Sequence, residues 1–547
     1  VAWSITNSMA DDTDLFLEQF HPEDPLRVLR GGDGLRGLGA SPINPNRNTM
    51  NGSSIGTARG AEVDVDLGAL GEWREVMVRY EILAVKGEAD RLVEILATEH
   101  GPLLGKARVD AGSYEGDMGD EGMGANVAVP NGMGLALRWA GHDVSHELQS
   151  FYELQFARSV EEVRQALRHF GSPVMTFGVA DAGGSIALVT AGRVPVRSGG
   201  AVAIREGWDT GQDWRGWVGT DALPFLMDPP EGFVATANNR LHGEAYPYYV
   251  GRFWAPPYRI ERIREVLGAG EEMTVEDMGA LQSDVFSVQS REWMPRMLPV
   301  VQARVAETDS QLVGYLENWT FEMEGASTAA SIFERWVWEL SRGVFLRWMD
   351  EETYGRLVAL PQHPVLMLRR LLMEGDGLAV SGLDGDGLDG DGLDGDGLDG
   401  DGLDGAGLDG DGLDGDSLGA NASGRQPIEA SEKVGNLDSA ALDREIFSAF
   451  QRSVLWLRET FGDNPADWQW KNVHKVSFRP PLFAEAADQE GASTLLKLMV
   501  RNLLTIGPYE AEGNAITVNN TEYDWRNPYD VTIGASVRRV VDFGETD

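Results

Sequence analysis

The sequence predicts an α+β fold in which antiparallel sheet lies under helices, a layered α/β/β/α arrangement with a helical subdomain and a disordered acidic insert. Three observations predict it. The first 230 residues alternate short β-rich runs with glycine-rich turns around one clear helical segment, residues 260–345 place tryptophans and leucines at helical spacing, and the end of the chain returns to β-like runs.

With 547 residues and ordinary hydrophobic content, the chain can bury a large core. Its formal net charge of -41 argues against a nucleic-acid-binding surface, because phosphate contact needs clustered Lys and Arg. The absence of cysteine excludes disulfides, thiolate metal sites and a cysteine nucleophile within this sequence. No apolar run approaches the roughly 18 to 20 residues of a membrane helix, so no membrane span is expected. The sequence starts without Met, and Val1-Ala2-Trp3-Ser4 reads as the continuation of a strand. A fragment or processed piece is therefore expected, and the missing signal peptide leaves the compartment unknown.

Residues 1–20 give a short strand, a polar turn and then the apolar Leu15, Phe16 and Leu17. Between them Asp11, Asp12 and Asp14 crowd three carboxylates into four positions, which need solvent, arginine or a cation to relieve their repulsion. Residues 73–104 form a hairpin by pattern, with Val76, Val78, Tyr80 and Ile82 on one face and a β-rich run over residues 92–98 behind Gly87-Glu88. His100 closes that run before Gly-Pro and reads as structural. Residues 159–170 are helical, with Val163, Ala166, Leu167 and Phe170 three and four apart; two β runs then flank the turn Asp181-Ala182-Gly183-Gly184.

Residues 232–259 are the densest in chemistry. Phe233 and Val234 feed into Ala237-Asn238-Asn239-Arg240, then into aromatics and prolines, as a strand would deliver polar groups to the rim of a sheet. An asparagine there can offer its NH₂ to a developing oxyanion, and an arginine can orient a neighbour; an Asn-rich turn accounts for the same residues. Beyond Arg259 the pattern is helical, and its tryptophans and leucines are assigned to the core. Residues 382–416 repeat the pentad GLDGD in tandem, broken at Ala406, a glycine-rich acidic tract that reads as a disordered insert. From Ala440 helix resumes, followed by Trp468-Gln469-Trp470, His474 and β-like runs over residues 516–519 and 537–543.

GFVATANNR at 232–240 followed by YPYYVGRFWAPPYRIERIRE resembles the oxyanion-asparagine segment of the penicillin amidase family of N-terminal-nucleophile hydrolases. VAWSITNSMADDTDLF at the start, EILATEHGPLL at 94–104, ALRWAGHD at 136–143, DAGGSIALVTAGRVPVR at 181–197, ITVNN at 516–520 and GASVRRVVD at 534–542 follow that family's order. The resemblance implies a four-layer αββα sandwich and a self-processing acylase, made as a zymogen, that cleaves an acyl group from an amine. It implies Asn238 as oxyanion donor, Asn7 as a backbone N–H of the oxyanion hole and Arg259 ordering the site, with Asn239 and Arg240 as second choices. It also implies calcium at Asp11, Thr13 and Asp14, although the aspartate that some members add after the asparagine segment falls near Val250 here. His474 would match a WG-x-x-H pattern, with Lys471 at the glycine position, and is assigned to structure.

Such an enzyme needs a hydroxyl or thiol at a new chain terminus, that residue's own α-amine as base, and an oxyanion hole. None of Gly52-Ser53, Gly112-Ser113, Gly171-Ser172 and Gly184-Ser185 has the Ser-Asn-aromatic context the family uses. The nucleophile is therefore expected before Val1, and the sequence as written is expected to be inactive without that missing N-terminal segment. Residues 1–375 then form a catalytic region, 376–420 the low-complexity insert and 421–547 a continuation of the first. The expected partner is a small amide with a hydrophobic acyl group, such as a β-lactam side chain or an acyl-homoserine lactone, in the periplasm or secreted. A noncatalytic homologue or acidic interaction protein that keeps the fold is the alternative, and an inert residue at the upstream position would favour it.

Overall fold

The computed structural model describes residues 1–31, 71–85, 89–104, 132–198, 204–270, 272–359, 362–373, 438–480, 493–526, 528–535 and 537–544. The acidic repeat at 382–416 lies outside them. The chain divides into two compact units, Trp3–Met227 with His242–Arg252, and Asp228–Leu241 with Phe253–Asp547. The architecture is a mixture of sheets and helices in both.

In the first unit, β1 (Ala2–Asn7), β2 (Thr13–Gln19), β3 (Arg27–Arg30), β4 (Glu72–Glu75), β5 (Met77–Leu83), β6 (Arg91–Thr98), β7 (Gly101–Pro102) and β8 (Met133–Trp139) precede two helices, α1 (Glu147–Leu154) and α2 (Val160–Ala166). Then come β9 (Met175–Ala180), β10 (Ile186–Ala191), β11 (Arg205–Glu206) and β12 (Phe225–Met227). One sheet runs β1-β9-β10-β12 and a second β11-β2-β8. β9 and β10 pair antiparallel from Ile186↔Ala180 to Ala191↔Met175, and the Asp181 carboxylate closes their turn by accepting the N–H groups of Gly183 and Ser185. α2 starts where Ser159 caps it by accepting the N–H of Glu162 at 3.2 Å. Its Val163 and Ala166 bury against Phe177, Val179 and Val189 of the first sheet.

The expected hairpin is present, β5 pairing with β6 from Met77↔Ala97 to Leu83↔Arg91. Of the residues that the pattern puts on one face, Val76 is buried, whereas Tyr80 is 59% exposed and Ile82 68%; among the described residues β5 pairs with β6 alone. The polar-apolar alternation here marks a strand without marking a buried face.

The second unit is mainly helical: α3 (Tyr258–Ala269), α4 (Val275–Gln282), α5 (Val288–Gln302), α6 (Ser310–Glu317), α7 (Thr328–Phe345), α8 (Glu351–Val358), α9 (Gln362–Met373) and α10 (Ser439–Phe461). Thr274 and Asp277 form a capping box on α4. Trp293 and Trp336 are fully buried with Phe333, Phe345 and Phe450 in one large cluster, which places those tryptophans in the core as their spacing predicts. A four-stranded sheet, β14-β13-β16-β15, is formed by β13 (Lys475–Phe478), β14 (Ile506–Glu510), β15 (Thr521–Tyr523) and β16 (Asp530–Gly534).

Two expected strands are absent. Residues 516–519 form a turn in which the Asn514 side chain accepts the N–H of Ile516 at 3.0 Å and Thr517 Oγ1 accepts the N–H of Asn514 at 2.9 Å. Those side chains take donors that a ladder would need. Residues 537–543 carry no ladder either; Arg538 donates to Ser283 Oγ and to Asn519 instead. Among the described residues no helix is long and apolar enough to cross a membrane.

Candidate functional site

Residues 233–236 are irregular, so the expected strand into the asparagine pair is not formed. The N–H of Ala237, which a ladder would have used, is taken by Asn239 Oδ1 at 3.0 Å, and Asn239 Nδ2 donates to the Arg240 carbonyl at 2.9 Å. The chain then turns at Asn238, whose φ is 65°, a left-handed conformation that asparagine tolerates better than most side chains. The turn expected of an Asn-rich segment and a bonded Asn238 side chain thus coexist.

What fixes that side chain comes from later in the sequence. The N–H of Ala255 donates to the Asn238 carbonyl at 3.0 Å, which brings residues 255–258 alongside the asparagine turn. Pro257 stands at the N-cap of α3 with φ -69°, so the helix begins at once and Arg259 sits in its first turn. Arg259 Nη2 donates to Asn238 Oδ1 at 2.9 Å. A guanidinium can only donate, so its bond to Oδ1 fixes the amide flip and turns the Nδ2 donor side away from Arg259. Burial lowers the pKa of Arg259 from the ordinary guanidinium value, and the charge of Glu522 opposes that shift. Arg240, the second-choice arginine, stacks over the Trp254 ring at 5.5 Å.

Asn7 belongs to the first unit, at the end of β1. Its Oδ1 accepts the N–H of Met9 at 2.7 Å, and Met9 has φ 55°. The side chain therefore builds the turn that leaves β1, as an ordinary turn asparagine does.

Calcium at Asp11, Thr13 and Asp14 is overturned: among the described residues no group of three or more His, Cys, Asp or Glu could hold a metal ion. The physical reason is that arginine relieves the repulsion. Asp14 Oδ2 accepts from Arg197 Nε at 2.8 Å and from Trp214 Nε1, with Arg205 Nε at 3.0 Å. Asp11 Oδ1 lies 3.7 Å from Arg197 Nη2, and its Oδ2 accepts from Tyr249 Oη at 3.2 Å. Asp12 turns to the Trp139 indole N–H at 3.3 Å, and Thr13 Oγ1 donates to Asp12 at 3.1 Å. Three acidic residues close together in sequence signal a need for cations, but the arginines that answer it lie some 180 residues away and carry no local signal of that role.

His100 and His474 are both structural. His100 Nδ1 meets Glu18 Oε1 at 2.7 Å and Nε2 meets Asp213 Oδ1 at 3.0 Å, with the ring stacked on Phe16 at 3.9 Å. His474 Nδ1 donates to the Tyr529 carbonyl at 2.8 Å, Nε2 lies 3.0 Å from Thr521 Oγ1, and the ring stacks on Trp470 at 4.6 Å. Burial pushes the His474 pKa down to about 4.

Comparison with known proteins supplies a context for these residues. The family model described as Penicillin amidase matches residues 62–547. Penicillin acylase 2 proenzyme of Pseudomonas sp. (strain SE83) is 28% identical over 351 residues, 63% of this chain and 37% of that protein. Acyl-homoserine lactone acylase QuiP of Pseudomonas aeruginosa is 24% identical over 565 residues, 100% of this chain and 55% of that one. The chain thus spans 37% and 55% of the lengths of these two relatives. A solved thermostable penicillin G acylase from Alcaligenes faecalis aligns with a TM-score of 0.54 at 16% identity, covering 85% of this chain and 69% of that chain, a likeness of fold.

Proposed function

The chain belongs to the penicillin amidase family, and from that premise we propose that it is part of an acylase that hydrolyses the amide between a hydrophobic acyl group and an amine. Relatives bearing the names penicillin acylase and acyl-homoserine lactone acylase indicate the substrate class. Within the proposal, the fold is the four-layer αββα sandwich and the protein is exported to the periplasm or beyond. A serine exposed at a new chain terminus upstream of Val1 attacks the amide carbonyl while its own α-amine takes the proton; that amine's ordinary pKa, near 8, suits the task. Asn238 Nδ2 stabilises the oxyanion, and collapse of the intermediate releases the amine. Water then hydrolyses the acyl-serine and frees the acid.

The observation that carries this reading is the bond from Arg259 to Asn238 Oδ1 at 2.9 Å, because it orients the amide as a donor before any substrate arrives. In the complete processed protein, Asn238→Ala should lower kcat by about 10²–10³ fold with the fold retained, judged by circular dichroism. Unchanged turnover would remove Asn238 from the site. N-terminal sequencing of the purified protein should find Ser, followed by Asn and an aromatic, at the new terminus. An inert residue there would leave the fold and point to the noncatalytic alternative.

A further inference from the structure

The turn between β1 and β2 links the two sheets of the first unit, since β1 lies in the sheet with β9 and β2 in the sheet with β8 and β11. It carries Asp11 and Asp12, Asp14 follows near the start of β2, and Arg197 packs against them. The Arg197 side chain has no solvent exposure, and the Asp14 and Arg205 side chains are exposed by only 3% and 5%. A guanidinium withdrawn from water at this depth needs compensation of its charge. The Asp14 bond to Nε supplies part of it; the Trp214 ring at 5.4 Å and the Tyr249 ring at 5.6 Å supply more. Its terminal Nη1 and Nη2 atoms find no hydrogen-bond acceptor among the described residues, which leaves Nη2 facing Asp11 as a charge at 3.7 Å.

Backbone pairing explains how Arg197 reaches this position. The N–H of Val196 donates to the Gly216 carbonyl at 2.9 Å and the N–H of Arg215 to the Val196 carbonyl at 2.8 Å, which sets Arg197 beside Trp214. On the other side, the N–H of Asp11 donates to the Val250 carbonyl at 2.7 Å. A Cβ on Gly251 would come within 2.6 Å of the Met9 carbonyl, so segment 249–251 fits against the turn only with glycine there.

We propose that Arg197 is the built-in cation of this turn: its guanidinium performs, within the chain, the neutralisation of Asp11 and Asp14 that the family resemblance assigns to calcium, and it makes the link between the two sheets independent of divalent metal. Asp14 Oδ2 already accepts from Arg197 and Trp214, and a further positive charge beside two buried guanidinium groups would be repelled.

Thermal unfolding of the full chain tests this without reference to activity. Wild-type protein should melt at the same temperature with calcium chloride as with a chelator. Arg197→Ala should lower Tm by on the order of 10 °C. Low millimolar guanidinium chloride, far below denaturing levels, should restore part of that loss by filling the vacated space against Asp14. An Arg197→Ala/Asp14→Asn double variant should gain nothing from it. If Arg197→Ala does not fold, Arg197→Lys, which keeps the charge and gives up the Nε bond and the planar stacking, should melt below wild type and show no calcium response. Calcium-dependent melting of wild type or of Arg197→Lys, an Arg197→Ala protein as stable as wild type, or an Arg197→Ala protein indifferent to guanidinium would each overturn the proposal.

Discussion

Two arginines, one in each unit, face side chains that differ by a single atom type. Arg197 donates to the carboxylate of Asp14, and Arg259 to the amide of Asn238, at 2.8 and 2.9 Å. The Asp14 carboxylate can only accept, and its Oδ2 takes hydrogen bonds from Arg197 and Trp214 and pairs in charge with Arg205 at 3.0 Å. The Asn238 amide accepts through Oδ1 and keeps two N–H groups on its other end. One arrangement cancels charge and ties strands together; the other fixes the orientation of an amide. The guanidinium meets a partner that can only accept in the first unit and one that also carries donors in the second.

Exchanging the partners would break that distinction. Asp14→Asn gives the first unit the amide of the second: the negative charge that answers Arg197 and Arg205 is lost, and a neutral amide is left beside the two guanidinium groups. Removing the carboxylate from a buried pair costs about 3–5 kcal/mol, so urea unfolding should show a loss of that size. A loss within the usual scatter of surface substitutions would mean that water reaches the cluster. The converse change, Asn238→Asp, keeps the shape, tolerates the left-handed backbone and strengthens the bond to Arg259. Stability should hold or rise while kcat in the processed enzyme falls, the barrier increasing by about 3–4 kcal/mol, because the donor becomes a negative charge facing the oxyanion. Activity retained in Asn238→Asp would show that the amide is not the donor.

Local signals and distant ones fared differently. The β9–β10 hairpin was legible because Asp181-Ala182-Gly183-Gly184 carries its own turn chemistry, and α2 because apolar residues three and four apart follow a serine cap. The segment before Asn238 misled because Phe233 and Val234 favour a strand, while Asn239, two residues past Ala237, takes the N–H that a ladder would need. The family's order of motifs singled out Asn238 and Arg259, which the fold does bring together. It also suggested calcium at Asp11, Thr13 and Asp14, where the answer lay in Arg197 and Arg205. Burial and charge pairing across such sequence distances are properties of the folded chain, and composition shows only that the carboxylates need partners.

The two histidines sharpen the comparison in titratable form, with the smallest expected effect. Burial, the largest single influence on each, favours the neutral ring. It prevails at His474, whose neighbours are a carbonyl and a hydroxyl; at His100 the bonds to Asp213 and Glu18 prevail and raise the pKa above the ordinary value, although Arg30 opposes them. The charged groups around His100 are Glu18 on β2, Asp213 after β11, and Arg30 on β3, which itself pairs with Asp213 at 2.6 Å and with Glu99. Since the folded pKa lies above the unfolded value near 6.5, the contribution is fully present below about pH 6.5 and is lost as pH rises through the folded value. A neutral imidazole has one N–H for two carboxylates, so one contact must lapse. The difference in unfolding free energy between wild type and His100→Gln should therefore shrink from pH 6 towards pH 9. At His474 the sign is reversed: its folded pKa of about 4 lies below the unfolded value, so its contribution is present above about pH 6.5 and declines as pH falls towards 4. A His100→Gln difference that stayed constant with pH would show that the carboxylates around His100 act by shape alone.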